Sequence, residues 1–261
     1  MHTSSNPVET ENIMGQLNDK TALVTGGTSG IGLAAAKRLA AEGAHVFITG
    51  RDKQRLDEAL ASIGPSANGI CGDVTDPDDV DRVAEAVKAH GHGLDVVFTN
   101  AGGGEFAPLA DMTPQHFLDT FNRNVGGTIF TVQKVLPLLN TGASVILSGS
   151  SSASSGTPAM GAYAASKAAV RSFGRTWAAE LAPRQIRVNT LVPGPVETPG
   201  LTGAAPAGQE QQLLAGFAAT VPLGRVAQPE EIAAAVLFLA SDQSSYMTGA
   251  ELFIDGGAEQ V

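Results

Sequence analysis

Short apolar runs alternate with longer amphipathic stretches along this chain. TALVT (21–25), HVFIT (45–49), GICGD (69–73), DVVFT (95–99), SVILS (144–148), RVNTL (187–191) and ELFID (251–255) carry Val and Ile with little polar alternation. Such runs predict strands buried on both faces. Between them the apolar positions recur at helical spacing. IGLAAAKRLAAEG closes on Gly43, a helix-ending residue, and PDDVDRVAEAVKAHG opens with acids suited to a helix N-terminus. Strand–helix alternation of this kind predicts an α/β fold: a single Rossmann-like doubly wound domain, with a seven-stranded parallel sheet and helices on both faces.

Two stretches depart from the rhythm. PGLTGAAPAGQ (199–209) is rich in Gly, Pro and Ala. It reads either as a slack connection or as the start of a mobile lid, expected near 199–219. Residues 1–16, MHTSSNPVETENIMGQ, are polar and lack the basic and apolar regions of a signal peptide. They predict a disordered tail, with a single domain over 17–261. Met14 is an alternative start of translation.

Composition narrows the partners. The 261 residues carry a formal net charge of −10, which disfavours nucleic acid and anionic membranes. Ile232 to Ala240, the longest apolar run, is too short to span a bilayer. The one cysteine, Cys71, excludes an intramolecular disulfide and fits a reducing, cytoplasmic setting. No metal site is expected, since His90 and His92 have no companion ligands at metal-site spacing.

The first strand runs directly into TGGTSGIG, Thr25 to Gly32, and a helix follows. Glycines there admit close approach of a ligand, and the helix N-terminus offers free N–H groups to an anion. In this context Gly26, Gly30 and Gly32 predict a dinucleotide phosphate site. The second strand ends at Gly50 and is followed by Arg51, with no carboxylate at the strand end. Arg51 suits a 2′-phosphate, so NADP(H) is favoured and NAD(H) stays open. Asp52 is expected to cap the next helix. Asp73, after the third strand, reads either as an acceptor for the adenine amino group or as a strand-end cap, and Asp76 as a cap of the helix beginning at Pro77.

GAYAASKAAV places Tyr163 and Lys167 four apart, on one face of a helix. On its own this is either a surface helix or a phenol beside a cation. T-G-x-x-x-G-x-G, N-A-G (100–102), N-V-G (124–126), a serine cluster, Y-x-x-x-K and P-G-P-V-E-T, in that order, resemble the classical short-chain dehydrogenase/reductase family over about residues 17–257. The resemblance implies interconversion of a ketone and a secondary alcohol, with Tyr163 as general acid/base and Lys167 also binding the nicotinamide ribose. Ser150, thirteen residues before Tyr163, would bind the substrate oxygen, with Ser148, Ser151 and Ser152 as neighbours in register. Asn124 would hold a water in a proton relay; by itself it reads as a helix-kink residue.

The same resemblance puts Gly26, Thr28, Ser29, Ile31, Val74, Asn100, Ala101 and Gly102 along the cofactor. Pro193, Gly194, Val196 and Thr198 would wrap the nicotinamide. Thr99 departs from the asparagine common in the family, and Ser29 stands where some NADP-using members carry a base. A homotetramer built on helices near 113–139 and 161–182 is implied. Gly103, Gly104, Met160, Leu201 and Phe217 are expected to wall a mostly apolar pocket for a small carbonyl or alcohol substrate. A phenol ordinarily ionises near pH 10, and an adjacent cation lowers that; the shift of roughly 3 units to near neutrality, about 4 kcal/mol, is expected from the ammonium together with the cofactor's positive nicotinamide ring. The rival reading from another class is a dinucleotide sensor without turnover.

Overall fold

A computed structural model describes residues 15–261. Seven strands lie in chain order at Thr21–Thr25 (β1), His45–Gly50 (β2), Ala67–Cys71 (β3), Leu94–Thr99 (β4), Leu139–Ser148 (β5), Arg187–Pro193 (β6) and Glu251–Ile254 (β7). They form one sheet in the order β3-β2-β1-β4-β5-β6-β7, and every pairing is parallel. The chain order reverses between β1 and β4. In open parallel sheets, ligands bind at such a switch point, outside the carboxyl ends of the strands.

Alternate residues of each central strand serve opposite cores. Ala22, Val24, Val46, Ile48, Val96 and Phe98 pack in one cluster, with α1 (Gly30–Ala41), α2 (Lys53–Ile63) and α9 (Pro229–Ala240). Leu23, Phe47, Val97, Val145 and Leu147 pack in the other. That second face is covered by α3 (Pro77–His90), α5 (Gly127–Val135) and α6 (Gly161–Leu181). Two-sided burial explains why these strands read as continuous apolar runs.

Several boundaries follow local chemistry. Asp52 Oδ1 accepts the Arg55 N–H and caps α2, and Asp76 accepts the Asp78 N–H and caps α3. Gly91 closes α3 in the left-handed region. β3 lies two residues earlier than GICGD implied: as an edge strand it is only partly buried, and Gly72 follows it with its N–H still donated to the Gly50 carbonyl. The long helix expected near 113–139 is divided into α4 (Pro114–Phe121), a π-turn (Asn122–Gly126) and α5. The 199–219 segment folds as α7 (Pro199–Thr202), a loop and α8 (Glu210–Ala218). The predicted N-terminal tail falls largely outside the described residues. Its last residue, Gln16, donates its N–H to Glu42 and accepts from Gln243.

Candidate active site

The carboxyl ends of β1 and β4 are laced together. Asn100 Nδ2 donates to the Thr25 and Gly26 carbonyls, each at 3.2 Å, and the Ala101 N–H donates to Thr25 Oγ1 at 3.0 Å. Gly26 turns the chain at φ +64°. A Cβ on Gly32 would lie 2.2 Å from the Gly26 carbonyl oxygen and 2.5 Å from Asn100 Nδ2. The first turn of α1 therefore presses against the loop, and only glycine permits it. Ser29 precedes α1 without a side-chain cap, so the first-turn N–H groups of α1 keep no capping partner from it. This uncapped, glycine-walled cradle fits a pyrophosphate.

The other expected cofactor residues gather around it. Thr28 lies against Gly50 at the end of β2, and Thr198 lies against Gly30. The segment after β6 thus comes over the glycine loop. Pro193 ends β6, the Gly194 N–H donates to the Ile254 carbonyl, and buried Val196 bridges to Ala227. Val74 packs on Gly127 at the start of α5. Gly102 lies against Asn124 and Lys167. Ile31, partly buried at the start of α1, packs against the core of the α1 face. Arg51 stands exposed past β2, with Nη1 3.6 Å from Asp73 Oδ2.

The chemical end is built on α6 and the π-turn. π-Turns recur at functional sites because the extra residue redirects a side chain out of the helical ladder. Asn124, fully buried, accepts the Gly103 N–H at 2.9 Å through Oδ1. Its Nδ2 donates to the Gly103 carbonyl at 3.0 Å and to Ser166 Oγ at 2.9 Å. Gly104 sits against the Tyr163 ring, where a Cβ would lie 2.6 Å from Cδ2. Lys167 is buried, donates to the Ser148 carbonyl at 2.8 Å, and holds Nζ 5.7 Å from the Tyr163 ring centroid.

Of the four candidate serines, the hydroxyl that acts on the Tyr163 phenol is that of Ser150. Ser148 gives its carbonyl to Lys167, Ser151 opens a 3-10 turn, and Ser152 faces Met160 Sδ at 4.0 Å.

The electrostatics describe the phenol in the protein alone. Tyr163 as a residue is half-buried, but desolvation of its phenol pushes the pKa above the ordinary value, and Ser150 offsets this only in part. Lys167 does not bring the phenol down in the protein alone. Its own burial lowers it to about 8, and its proton is directed at the Ser148 carbonyl.

Sequence reasoning missed Ser166, which ties Asn124 to α6 and donates to the Tyr163 carbonyl. Its signal was a lone polar residue on the packed face of an alanine-rich helix. Of the expected pocket walls, Gly103 and Gly104 lie on Asn124 and Tyr163, and Met160 beside Ser152. Phe217 lines a separate cavity of about 400 Å³ in the 199–219 segment, with Pro206, Leu213 and Gly216. The Leu201 N–H is tied to Thr198 on α7. Among the described residues no three His, Cys, Asp or Glu side chains are grouped to hold a metal. His90 instead stacks on His45 at 4.3 Å, with His92 at 4.9 Å. Among the described residues no helix is long and apolar enough to cross a membrane.

Comparison with known proteins agrees with this layout. The family model described as Enoyl-(Acyl carrier protein) reductase matches residues 26–259. The oxidoreductase asL5 of Sarocladium schorii is 46% identical over 248 residues, covering 94% of this chain and 98% of that protein. The 3-oxoacyl-(acyl-carrier-protein) reductase FabG of Thermotoga maritima is 38% identical over 251 residues, covering 93% and 98%. A solved structure titled short chain dehydrogenase/reductase family protein superposes with a TM-score of 0.83 at 42% identity, covering 94% of this chain and all of that one.

Proposed function

This chain belongs to the classical short-chain dehydrogenase/reductase family, an NAD(P)-dependent oxidoreductase acting on CH–OH and C=O groups, and on that premise we propose that it is an NADP(H)-dependent reductase of ketones in which Tyr163 carries the proton. The observation that supports this reading most is the convergence of the Tyr163 phenol, the Ser150 hydroxyl and the buried Lys167 ammonium beside Gly102 and Gly104. When bound, the nicotinamide supplies or accepts the hydride and, oxidised, brings a positive charge.

The protein's own groups do the rest. Ser150 donates a hydrogen bond to the substrate oxygen and orients the carbonyl. Tyr163 gives its proton to that oxygen in reduction and takes it back in oxidation. Lys167 favours the phenolate once formed, at a site where burial removes competing water. Asn124 is a positioning residue through its side chain, since both amide hydrogens are committed to Gly103 and Ser166. A relay water then has the Asn124 main-chain carbonyl to hold.

Arg51 supports NADP(H) over NAD(H), because its guanidinium stands free of the strand and meets no carboxylate of β2. Exposed Phe117, Leu118 and Phe130 on α4 and α5 support assembly through the 113–139 stretch, one of the two on which a homotetramer would be built.

A panel of ketones and 3-oxo esters, followed by NADPH consumption and chiral analysis of the alcohol, tests the reading. Turnover of at least one ketone to a single enantiomer is expected. Tight NADPH binding with no turnover across the panel would instead favour a dinucleotide sensor.

A further inference from the structure

The cations around the adenosine end are all matched by carboxylates. Beyond Arg51 and Asp73, Lys53 pairs with Asp57, Arg55 lies 3.9 Å from Asp52, and Arg82 pairs with Asp79. Arg82 Nη2 also donates to the Cys71 carbonyl at 3.1 Å, which fixes it at the end of β3 beside this edge. The strand end that is expected to receive a 2′-phosphate is therefore close to neutral, not cationic.

Asp73 is built to keep its charge. Burial alone raises its carboxyl, but the Thr75 N–H and hydroxyl and the Arg51 guanidinium outweigh that and hold it below the ordinary carboxylate range. Both Thr75 bonds go to Oδ1, at 2.9 and 2.8 Å. Oδ2 is left to face Arg51.

We propose that Asp73 sets the cofactor preference by competing with the 2′-phosphate of NADP(H) for the Arg51 guanidinium, which holds the protein to a small preference for NADPH over NADH. The proposal rests on the 2′-phosphate reading of Arg51. The competition is unequal by design. An anion carrying two charges outbids one carboxylate, but Arg51 must first be released and the phosphate must sit beside the displaced carboxylate. With Arg51 side chain 70% and Asp73 33% exposed, the ion pair is solvent-screened, so the brake is mild. NADH has no group that meets Arg51, so its binding does not disturb the pair.

The test is the ratio of the NADH and NADPH dissociation constants, read by nicotinamide fluorescence in wild type, Asp73→Asn, Arg51→Ala and the double variant. Asparagine keeps an oxygen for Thr75. Each ratio comes from one protein preparation, so partial unfolding cancels. Any contact of Asp73 with adenine is common to both cofactors and cancels too. Asp73→Asn is expected to raise the ratio about threefold in favour of NADPH, the size of a screened pair. Arg51→Ala is expected to lower it about tenfold or more, as loss of a charge-assisted bond does. In the Arg51→Ala background, Asp73→Asn should shift the ratio less than it does alone. If Arg51→Ala collapses the ratio while Asp73→Asn leaves it unchanged, the competition is refuted and the 2′-phosphate reading stands. If Arg51→Ala leaves the ratio unchanged, the 2′-phosphate reading itself fails.

Discussion

Tyr163→Phe is expected to reduce turnover by roughly 10³- to 10⁴-fold, the upper range for loss of a positioned general acid. The substitution removes one oxygen. The ring keeps its seat against Gly104, Asn124 keeps its ties to Gly103 and Ser166, and Lys167 keeps the Ser148 carbonyl. The cofactor cradle of Gly26, Gly32 and Asn100 is untouched. NADPH should therefore bind within about twofold of wild type, far below the tenfold that one lost charge-assisted bond would cost. Stopped assays for turnover and fluorescence titration for binding separate the two. Retention of a tenth of wild-type turnover, on the order that a spectator hydroxyl allows, would remove Tyr163 from the proton's path.

Lys167→Met is expected to cost about 10²- to 10³-fold in turnover while changing the stability in the opposite sense. The buried ammonium has its pKa lowered from 10.5 to about 8. Below pH 8 both folded and unfolded chains hold the proton, and the folded chain bears the full desolvation, on the order of 3 kcal/mol. Between about 8 and 10.5 the unfolded chain still holds the proton that the folded chain has released, so raising the pH relieves the burden. Wild type should gain on Lys167→Met by about 2 kcal/mol between roughly pH 7 and pH 9.5 in denaturant midpoints scaled by m. Tyr163 contributes with the other sign: its raised pKa makes the folded chain lose stability only once the phenol of the unfolded chain ionises, near and above its ordinary value of 10.0. A gap between the two proteins that stays constant over this pH span would show that Lys167 is not titrating in a desolvated site.

Much of this arrangement is legible in the chain itself, for reasons that differ by residue. β1 coincides with TALVT, because all five of its residues are buried and its centre is wholly apolar. β3 is displaced because an edge strand is only partly buried and its pattern is diluted by Gly69 and Gly72. Tyr163 and Lys167 share a face because helical spacing fixes it. Spacing says nothing of desolvation, however, and the direction of the phenol pKa depends on how deeply Gly104 and Ser150 enclose it. The partner of Arg51 was equally hidden. Asp73 is 22 positions away and meets Arg51 only because β3 pairs beside β2. Asn124 reads both as a kink and as a site residue, and the π-turn makes these one property. The cavity beside Phe217 belongs to a Gly- and Ala-rich segment whose packing no periodicity specifies.

The chain has two tyrosines, Tyr163 and the fully exposed Tyr246, so the difference in phenolate absorbance between wild type and Tyr163→Phe reports on Tyr163. A pH titration of wild type and Tyr163→Phe, each with and without saturating NADP⁺, measures the proton carrier directly. In the protein alone, Tyr163 is expected to ionise above the ordinary phenol value. With NADP⁺ its ionisation should fall toward neutrality, a shift on the order of 3 units, and Tyr163→Phe should lack that transition. A phenol that stays above its ordinary value in the presence of NADP⁺, or a transition that persists in Tyr163→Phe, would contradict Tyr163 as the acid and base of this site.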